Sequence, residues 1–366
     1  MSDRVAPAAA ETPQHLAYLD GLRGVAILLV VAYHGSKYTM DIHQGWTYHA
    51  LAEGAHGVDL FFVISGFCLA YPILRQHVDV GVVKFDVLRF YCRRIIRIVP
   101  AYWVAFLALL ALALFVVWRG GQLPYPTVAL PPTVANGFNQ LFFLNTTTNL
   151  CGSFWTLAVE FRWYIYFPLA MWLYVRWPWL IYAILAIDLF LYNFTHWILP
   201  DFATLPAFLL GVIAADLVIR NNRFNRFALI LFGLGVIASL ALEPKNHLSF
   251  TLQNQFWWQV TAFFFVVAGA ASPLLRRLLS HRSIAGIGIA AYSIYLYHDP
   301  IEAWYGYSGG RNLLLATVAG VLIGVVAWMF FERHIMERRT RDAIVGALER
   351  AFKAVLSWPR KVAVEL

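Results

Sequence analysis

Long apolar runs follow one another along almost the whole chain, and most are long enough to cross a bilayer as a helix. The 366 residues are 60% hydrophobic and 13% charged, whereas soluble domains carry about 25% charged residues. A soluble domain of this size could not bury so much apolar surface. The sequence therefore predicts an all-α membrane helix bundle of about ten transmembrane helices. The predicted spans are residues 22–38, 57–75, 97–118, 154–175, 178–194, 203–219, 227–242, 257–275, 284–304 and 312–331.

The basic residues between these runs predict how the bundle is oriented. The formal net charge is +8, which is also typical of chains that bind nucleic acid. If both termini are cytoplasmic, however, the inner loops hold thirteen Lys and Arg residues and the outer loops hold four. This asymmetry follows the positive-inside rule. We therefore expect both termini in the cytoplasm and no nucleic-acid partner.

The two ends of the chain differ in composition from the part between them. Residues 1–15 are rich in Ala and Pro, and we expect a disordered cytoplasmic tail there. Residues 16–335 contain all ten apolar runs and are predicted to form one membrane domain. Residues 336–366 are basic and amphipathic, which predicts a cytoplasmic segment that lies against membrane lipid.

Neither the cysteines nor the loop histidines indicate a metal site. The three cysteines are scattered and form no disulfide or zinc pattern. His43, His49 and His56 lie in the first outer loop, but their spacing fits no common metal site. We therefore expect no metal cofactor.

The first apolar run, "LDGLRGVAILLVVAYH", contains two polar side chains at a helical spacing. Arg23 and His34 are eleven residues apart, so a helix places them on one face, about 16 Å apart along its axis. Polar groups inside a membrane are costly and commonly functional. Alternatively, each side chain reaches its own membrane interface from a short helix.

Three more ionisable residues are predicted at the depth of His34, in the outer half of the membrane. Asp59 begins the second span, Glu160 lies in the fourth and His298 in the ninth. Each has a structural explanation: a helix cap for Asp59, a pair with Arg162 for Glu160, and a buried, hydrogen-bonded ring for His298. Together they favour a single polar chamber for acid–base chemistry or a proton path.

An arginine cluster precedes the third span in "RFYCRRIIRIVPAYW". Arg93, Arg94 and Arg97 can share a helical face, and guanidinium groups bind phosphate oxygens two at a time. The positive-inside rule and anionic lipid headgroups are the alternative explanations. A cytosolic ligand that joins this cluster to His34 needs phosphates at one end and a reactive group on a long arm. Acyl-CoA thioesters have this shape.

Five stretches, in this order, resemble the acyltransferase-3 family of integral-membrane O-acyltransferases. They are "YLDGLRGVAILLVVAYH", "GVDLFFVISGF", "FYCRRIIRIVPAYW", "SFWTLAVEFRWYIYFP" and "AYSIYLYHDP". The first contains an Arg-x10-His pair typical of the family, at Arg23 and His34. The resemblance covers residues 16–335, and the short chain is similar to the exopolysaccharide branch, which includes xanthan-type acetyltransferases.

The resemblance implies a multi-pass enzyme of the bacterial cytoplasmic membrane that moves an acetyl group from acetyl-CoA to a sugar hydroxyl of an exported polysaccharide or glycolipid. Arg23, Arg93, Arg94 and Arg97 would hold the donor, and His34 would be the general base. Asp59 or Glu160 would orient His34, and His298 would be a second base or a donor to the tetrahedral intermediate.

Three alternatives stay open, and one of them is a catalytically silent lipid-binding scaffold. An acyl-His34 intermediate fits as well as direct transfer. A proton-coupled transporter would use the same buried His, Asp and Glu groups.

Overall fold

The structure, a computed structural model, is almost entirely helical, as the apolar runs predict. The predicted disordered tail, residues 1–15, lies outside the residues that it describes. Each of the ten apolar runs coincides with a helix or with two consecutive helices. The described residues are 16–40, 46–81, 84–120, 134–144, 150–195, 200–220, 223–241, 252–356 and 363–365.

Two short strands accompany the helices. β1 (Lys84–Asp86) pairs antiparallel with β2 (Ala363–Glu365). The α-helices are α1 (Ala17–Thr39), α2 (Trp46–Ala52), α3 (Gly57–Val80), α4 (Val87–Trp118), α5 (Val134–Leu141), α6 (Trp155–Arg176), α7 (Pro178–Thr195), α8 (Pro200–Ile219), α9 (Ala228–Ala241), α10 (Leu252–Ala271), α11 (Pro273–Leu279), α12 (Arg282–Ile289), α13 (Ala291–Tyr307), α14 (Leu313–Ala327), α15 (Arg333–Met336) and α16 (Arg338–Leu356).

Five of the described helical segments are long and apolar enough to cross a membrane, and a bent pair adds a sixth. The bent pair, Gln255–Ala271 and Pro273–Leu279, turns by 101° between its two parts. The protein is therefore a multi-pass membrane protein, while the number of ten spans stays a prediction. The five segments are Ala17–Thr39, Thr47–Val80, Val87–Trp118, Asp201–Ile219 and Leu313–Met336.

Local sequence explains where two of these helices begin. The Asp86 carboxylate accepts a hydrogen bond from the backbone N–H of Arg89 at 2.9 Å and so caps α4. The Asn312 side chain accepts one from the backbone N–H of Leu315 at 3.0 Å and caps α14 in the same way. Each cap satisfies an N–H group that the first helical turn leaves without a partner.

Helix α1 lies at the centre of the bundle, where it contacts α3, α12, α13 and α14. Its residues Leu22, Ile27 and Val30 are fully buried. Glycines let α12 approach closely, because a Cβ at Gly24 or Gly288 would overlap a backbone oxygen of the other helix. Small residues at helix interfaces are typical of packing inside membranes. Both Arg23 and His34 therefore project from a helix that is held firmly in place.

Residues Arg338–Leu356 of the basic C-terminal segment form helix α16, which packs against the beginning of α4. Val345 is 1% exposed and contacts a small apolar cluster that includes Leu88 and Cys92. Glu349 lies 3.7 Å from the Arg89 guanidinium. This contact places α16 beside the end of α4 that carries the arginine cluster.

Candidate active site

A cavity of about 130 Å³ opens between α1, α3, α4, α6 and α13, and three arginines line it. We call it the arginine cavity; Arg23, Arg94 and Arg97 are its basic residues. Arg93 does not line it, because its side chain is exposed on another face of α4. The structure thus brings together three of the four arginines that the sequence predicts to bind the donor.

Each arginine of the cavity is held by its neighbours. Arg23 donates a hydrogen bond to Asp20 at 2.7 Å, one turn earlier on α1, and a second to the Cys68 sulfur at 3.1 Å. Arg97 pairs with Glu332 at 2.7 Å. Because Glu332 is 2% exposed, this buried carboxylate fixes the guanidinium at the cavity wall.

Arg94 has no carboxylate partner among the described residues. Its guanidinium lies over the rings of Phe90 and Tyr164, 5.7 and 5.5 Å from their centres. Its buried Nε makes no hydrogen bond within the described part of the chain. Cation–π contacts hold such a group without neutralising its charge, so Arg94 is the cation of the cavity that is most available to an anion.

Glu160 also lines the arginine cavity and does not contact His34. Its carboxylate accepts hydrogen bonds from Ser65, at 3.2 Å, and from Tyr164. The predicted alternative, a pair with Arg162, is wrong: Arg162 makes two hydrogen bonds to Asp201, at 2.7 and 2.8 Å. Glu160 therefore belongs with the arginines.

His34 and His298 meet directly in the interior. Nδ1 of His34 lies 3.2 Å from Nε2 of His298, and the rings meet edge to face. Nδ1 of His298 lies 3.1 and 3.0 Å from the carbonyl oxygens of Ile294 and Tyr295. Carbonyl oxygens only accept, so this nitrogen carries the proton of the neutral ring.

That assignment determines the tautomer of His34. Nε2 of His298 is then an acceptor, and Nδ1 of His34 donates both to it and to the carbonyl oxygen of Val30, at 3.1 Å. The lone pair of neutral His34 is consequently on its Nε2. A histidine held in this way can accept a proton from a substrate hydroxyl.

Asp299 lies beside the histidine pair and is buried. It accepts hydrogen bonds from the Tyr38 hydroxyl at 2.8 Å and from the backbone N–H of Ser153 at 3.0 Å. The Cys151 sulfur approaches the same carboxylate at 3.5 Å. Asp299 thereby joins α1, α13 and the segment that precedes α6.

The family model for the acyltransferase-3 domain matches residues 16–333. The chain belongs to this family. It is similar to the O-acetyltransferase OatA of Staphylococcus aureus strain NCTC 8325, with 27% identity over 96% of this chain and 60% of that protein. The OatA protein of strain COL matches equally well. A third relative is SACOL0978, also of strain COL, whose name marks it as a candidate O-acetyltransferase. It is 26% identical over 76% of this chain and 49% of its own length.

The chain thus spans about 60% of the length of the OatA proteins that it matches. No solved structure matches it.

Asp59, which the sequence predicts to be catalytic, contacts neither histidine of the pair. It accepts hydrogen bonds from Gln259 at 2.9 Å and Gln255 at 3.2 Å, and it lies 2.7 Å from Nδ1 of His56. Asp59 is 3% exposed. Its carboxylate, which accepts from both glutamines, links α3 to α10. The single polar chamber that the sequence predicts is therefore not formed: His34 and His298 form a pair, Glu160 lines the arginine cavity, and Asp59 lies at a third site.

Sequence reasoning did not select several residues that lie around the histidine pair. Asp299 follows His298 directly, and Tyr38 is one helical turn after His34 on the same face of α1. Both could have been selected from these spacings. Ser153, by contrast, meets Asp299 only through tertiary packing. No group of three or more His, Cys, Asp or Glu residues could hold a metal ion in the part of the chain that the structure describes.

Proposed function

We propose that this acyltransferase chain is an O-acetyltransferase of the bacterial cytoplasmic membrane. In this proposal it moves an acetyl group from cytosolic acetyl-CoA to a sugar hydroxyl of an exported polysaccharide or glycolipid. One observation carries the proposal: α1 runs from the arginine cavity, at Arg23, to the histidine pair, at His34. The family and the names of its O-acetyltransferase relatives agree with it.

The arginine cavity is the proposed site of the donor. Arg94 and Arg97 would bind phosphate oxygens of coenzyme A, since guanidinium groups match their geometry. Arg23 would line the path of the pantetheine arm, and Glu160 would hold Tyr164 and Ser65 in place around it. The separation of about 16 Å between Arg23 and His34 suits an extended arm of this kind.

His34 is the proposed general base. Its Nε2 takes the proton of the sugar hydroxyl while that oxygen attacks the thioester carbonyl carbon. The tetrahedral intermediate then breaks its carbon–sulfur bond, and the departing thiolate takes the proton from His34 to give coenzyme A. His298 orients His34 through the hydrogen bond to Nδ1, in the manner of the third member of a triad. Asp59 has a structural role in this proposal.

The proposed topology has ten spans, with both termini cytoplasmic. The supporting observation is the distribution of Lys and Arg, which are concentrated in the loops assigned to the cytoplasm. In this orientation the arginine cavity opens near the cytoplasmic face, where acetyl-CoA is present. The histidine pair lies in the outer half, where the acceptor arrives.

The decisive experiment uses membrane vesicles and acetyl-CoA labelled on the acetyl group. Vesicles carry the wild type, His34→Ala or, as a matched control, a substitution of the exposed His334 to Ala. We expect alkali-labile label in glycan or glycolipid with the wild type and with His334→Ala, and none with His34→Ala at equal protein content. Near-normal transfer by His34→Ala would remove His34 from the mechanism. Label bound to the wild-type protein in the absence of acceptor, and missing from His34→Ala, would favour an acetyl-His34 intermediate.

A further inference from the structure

Tyr295 forms part of the wall of the arginine cavity. It is 7% exposed. Its hydroxyl donates a hydrogen bond to the carbonyl oxygen of Ser153 at 2.7 Å and lies 2.6 Å from the hydroxyl of Thr156. Phe61 packs against the ring of Tyr295 edge to face, with ring centres 6.3 Å apart. The Tyr295 ring is thus held on three sides.

The other side of this wall faces the histidine pair. The ring centres of Tyr295 and His298 are 5.6 Å apart. The two residues are three positions apart on α13, which corresponds to a rise of about 4.5 Å. In the proposed function, a thioester bound at the arginines would place its acyl group against Tyr295, the lining residue whose ring neighbours His298.

We propose that Tyr295 is the residue that determines which acyl groups the enzyme transfers, by limiting the space for the acyl chain at the end of the cavity. This inference rests on the proposed function. Thr156 and Ser153 fix the Tyr295 hydroxyl, so the ring cannot turn aside without losing its hydrogen bonds. A two-carbon acyl group fits beside the ring, whereas each further methylene must displace Tyr295 or Phe61. A pocket that is one methylene too small discriminates by about 10-fold or more.

The test compares acetyl-CoA with butyryl-CoA in vesicles from a deletion strain of the source bacterium, which hold the natural acceptor. Each strain carries the wild type, Tyr295→Ala, Phe61→Ala or Tyr297→Ala. Tyr297 is the matched control because it lies on the same helix but lines a separate apolar groove beside α4. We expect the wild type and Tyr297→Ala to prefer acetyl strongly. Tyr295→Ala and Phe61→Ala should lower the acetyl-to-butyryl rate ratio by about 10-fold or more.

The possible results separate this inference from the proposed function. If the wild type transfers acetyl and both wall variants keep its rate ratio, the inference is refuted and the function stands. If Tyr295→Ala fails to accumulate, the ratio measured for Phe61→Ala decides. If the wild type transfers nothing from acetyl-CoA, the proposed function is refuted and this inference falls with it.

Discussion

Replacing His298 with Phe tests the proposal that His34 is the general base and that His298 orients it. The change removes the Nε2 acceptor that lies 3.2 Å from Nδ1 of His34 but keeps a planar ring in the buried space. The carbonyl oxygen of Val30, 3.1 Å away, still accepts from the same Nδ1. The tautomer of His34 should therefore survive, and only one of its two supporting hydrogen bonds is lost.

The size of the effect follows from the charge that develops on His34. When His34 takes the proton of the hydroxyl, the lost hydrogen bond would have come from an imidazolium, and such bonds contribute about 1.5–3 kcal/mol. We expect kcat to fall by about 10- to 150-fold. The KM for acetyl-CoA should stay unchanged, because His298 does not line the arginine cavity. His34→Ala removes the base itself and should cost about 10²- to 10⁴-fold.

Initial rates with labelled acetyl-CoA, normalised to the amount of enzyme in the vesicles, measure these effects. His298→Gln offers a side-chain acceptor and should recover part of the rate. In the His34→Ala background, His298→Phe should cause no further loss, since a positioning residue acts only through the base that it positions. Wild-type kcat in His298→Phe would refute the positioning role. A further loss in the double variant would instead show that His298 acts independently of His34.

Two further predictions concern the proposed donor site and the packing between helices. Arg94→Ala should raise the KM for acetyl-CoA by about 10-fold or more, because a charge-assisted bond to phosphate is lost; steady-state kinetics should give a clearly smaller rise for Arg93→Ala, and equal rises would contradict the assignment of the cavity. Gly211→Ala places a methyl group against the backbone of α3 and should destabilise the bundle by about 1–3 kcal/mol. Thermal unfolding in detergent should leave Gly233→Ala, where nothing lies within 4 Å of the added carbon, close to the wild type.

The sequence predicts the helical character of the chain and the alignment of Arg23 with His34, because both depend on local periodicity. It also predicts that His34 and His298 lie at one depth. It does not predict how each helix is rotated about its axis. Asp59 and His34 are expected at a similar depth, yet Asp59 faces the glutamines of α10. Such rotations depend on side-chain packing between helices, which no single segment encodes.

Arg93 and Arg94 illustrate the same limit at the scale of one residue. Consecutive residues of a helix point about 100° apart, so one guanidinium lines the cavity and its neighbour is exposed. Partners from distant segments are equally hard to foresee. Arg162 pairs with Asp201, 39 residues away in the sequence, and not with Glu160.

Because Arg23 and His34 lie on one helix, the number of residues between them sets both their distance along the axis and the face on which each lies. A single residue inserted between them would turn His34 by about 100° away from His298 and leave the composition of the helix nearly unchanged. An insertion of four residues would restore the face within about 40° but move the histidine outward by about 6 Å. Substitutions that keep the intervening segment helical and apolar preserve both relations. Over evolutionary time, this segment should therefore vary in sequence while keeping its length.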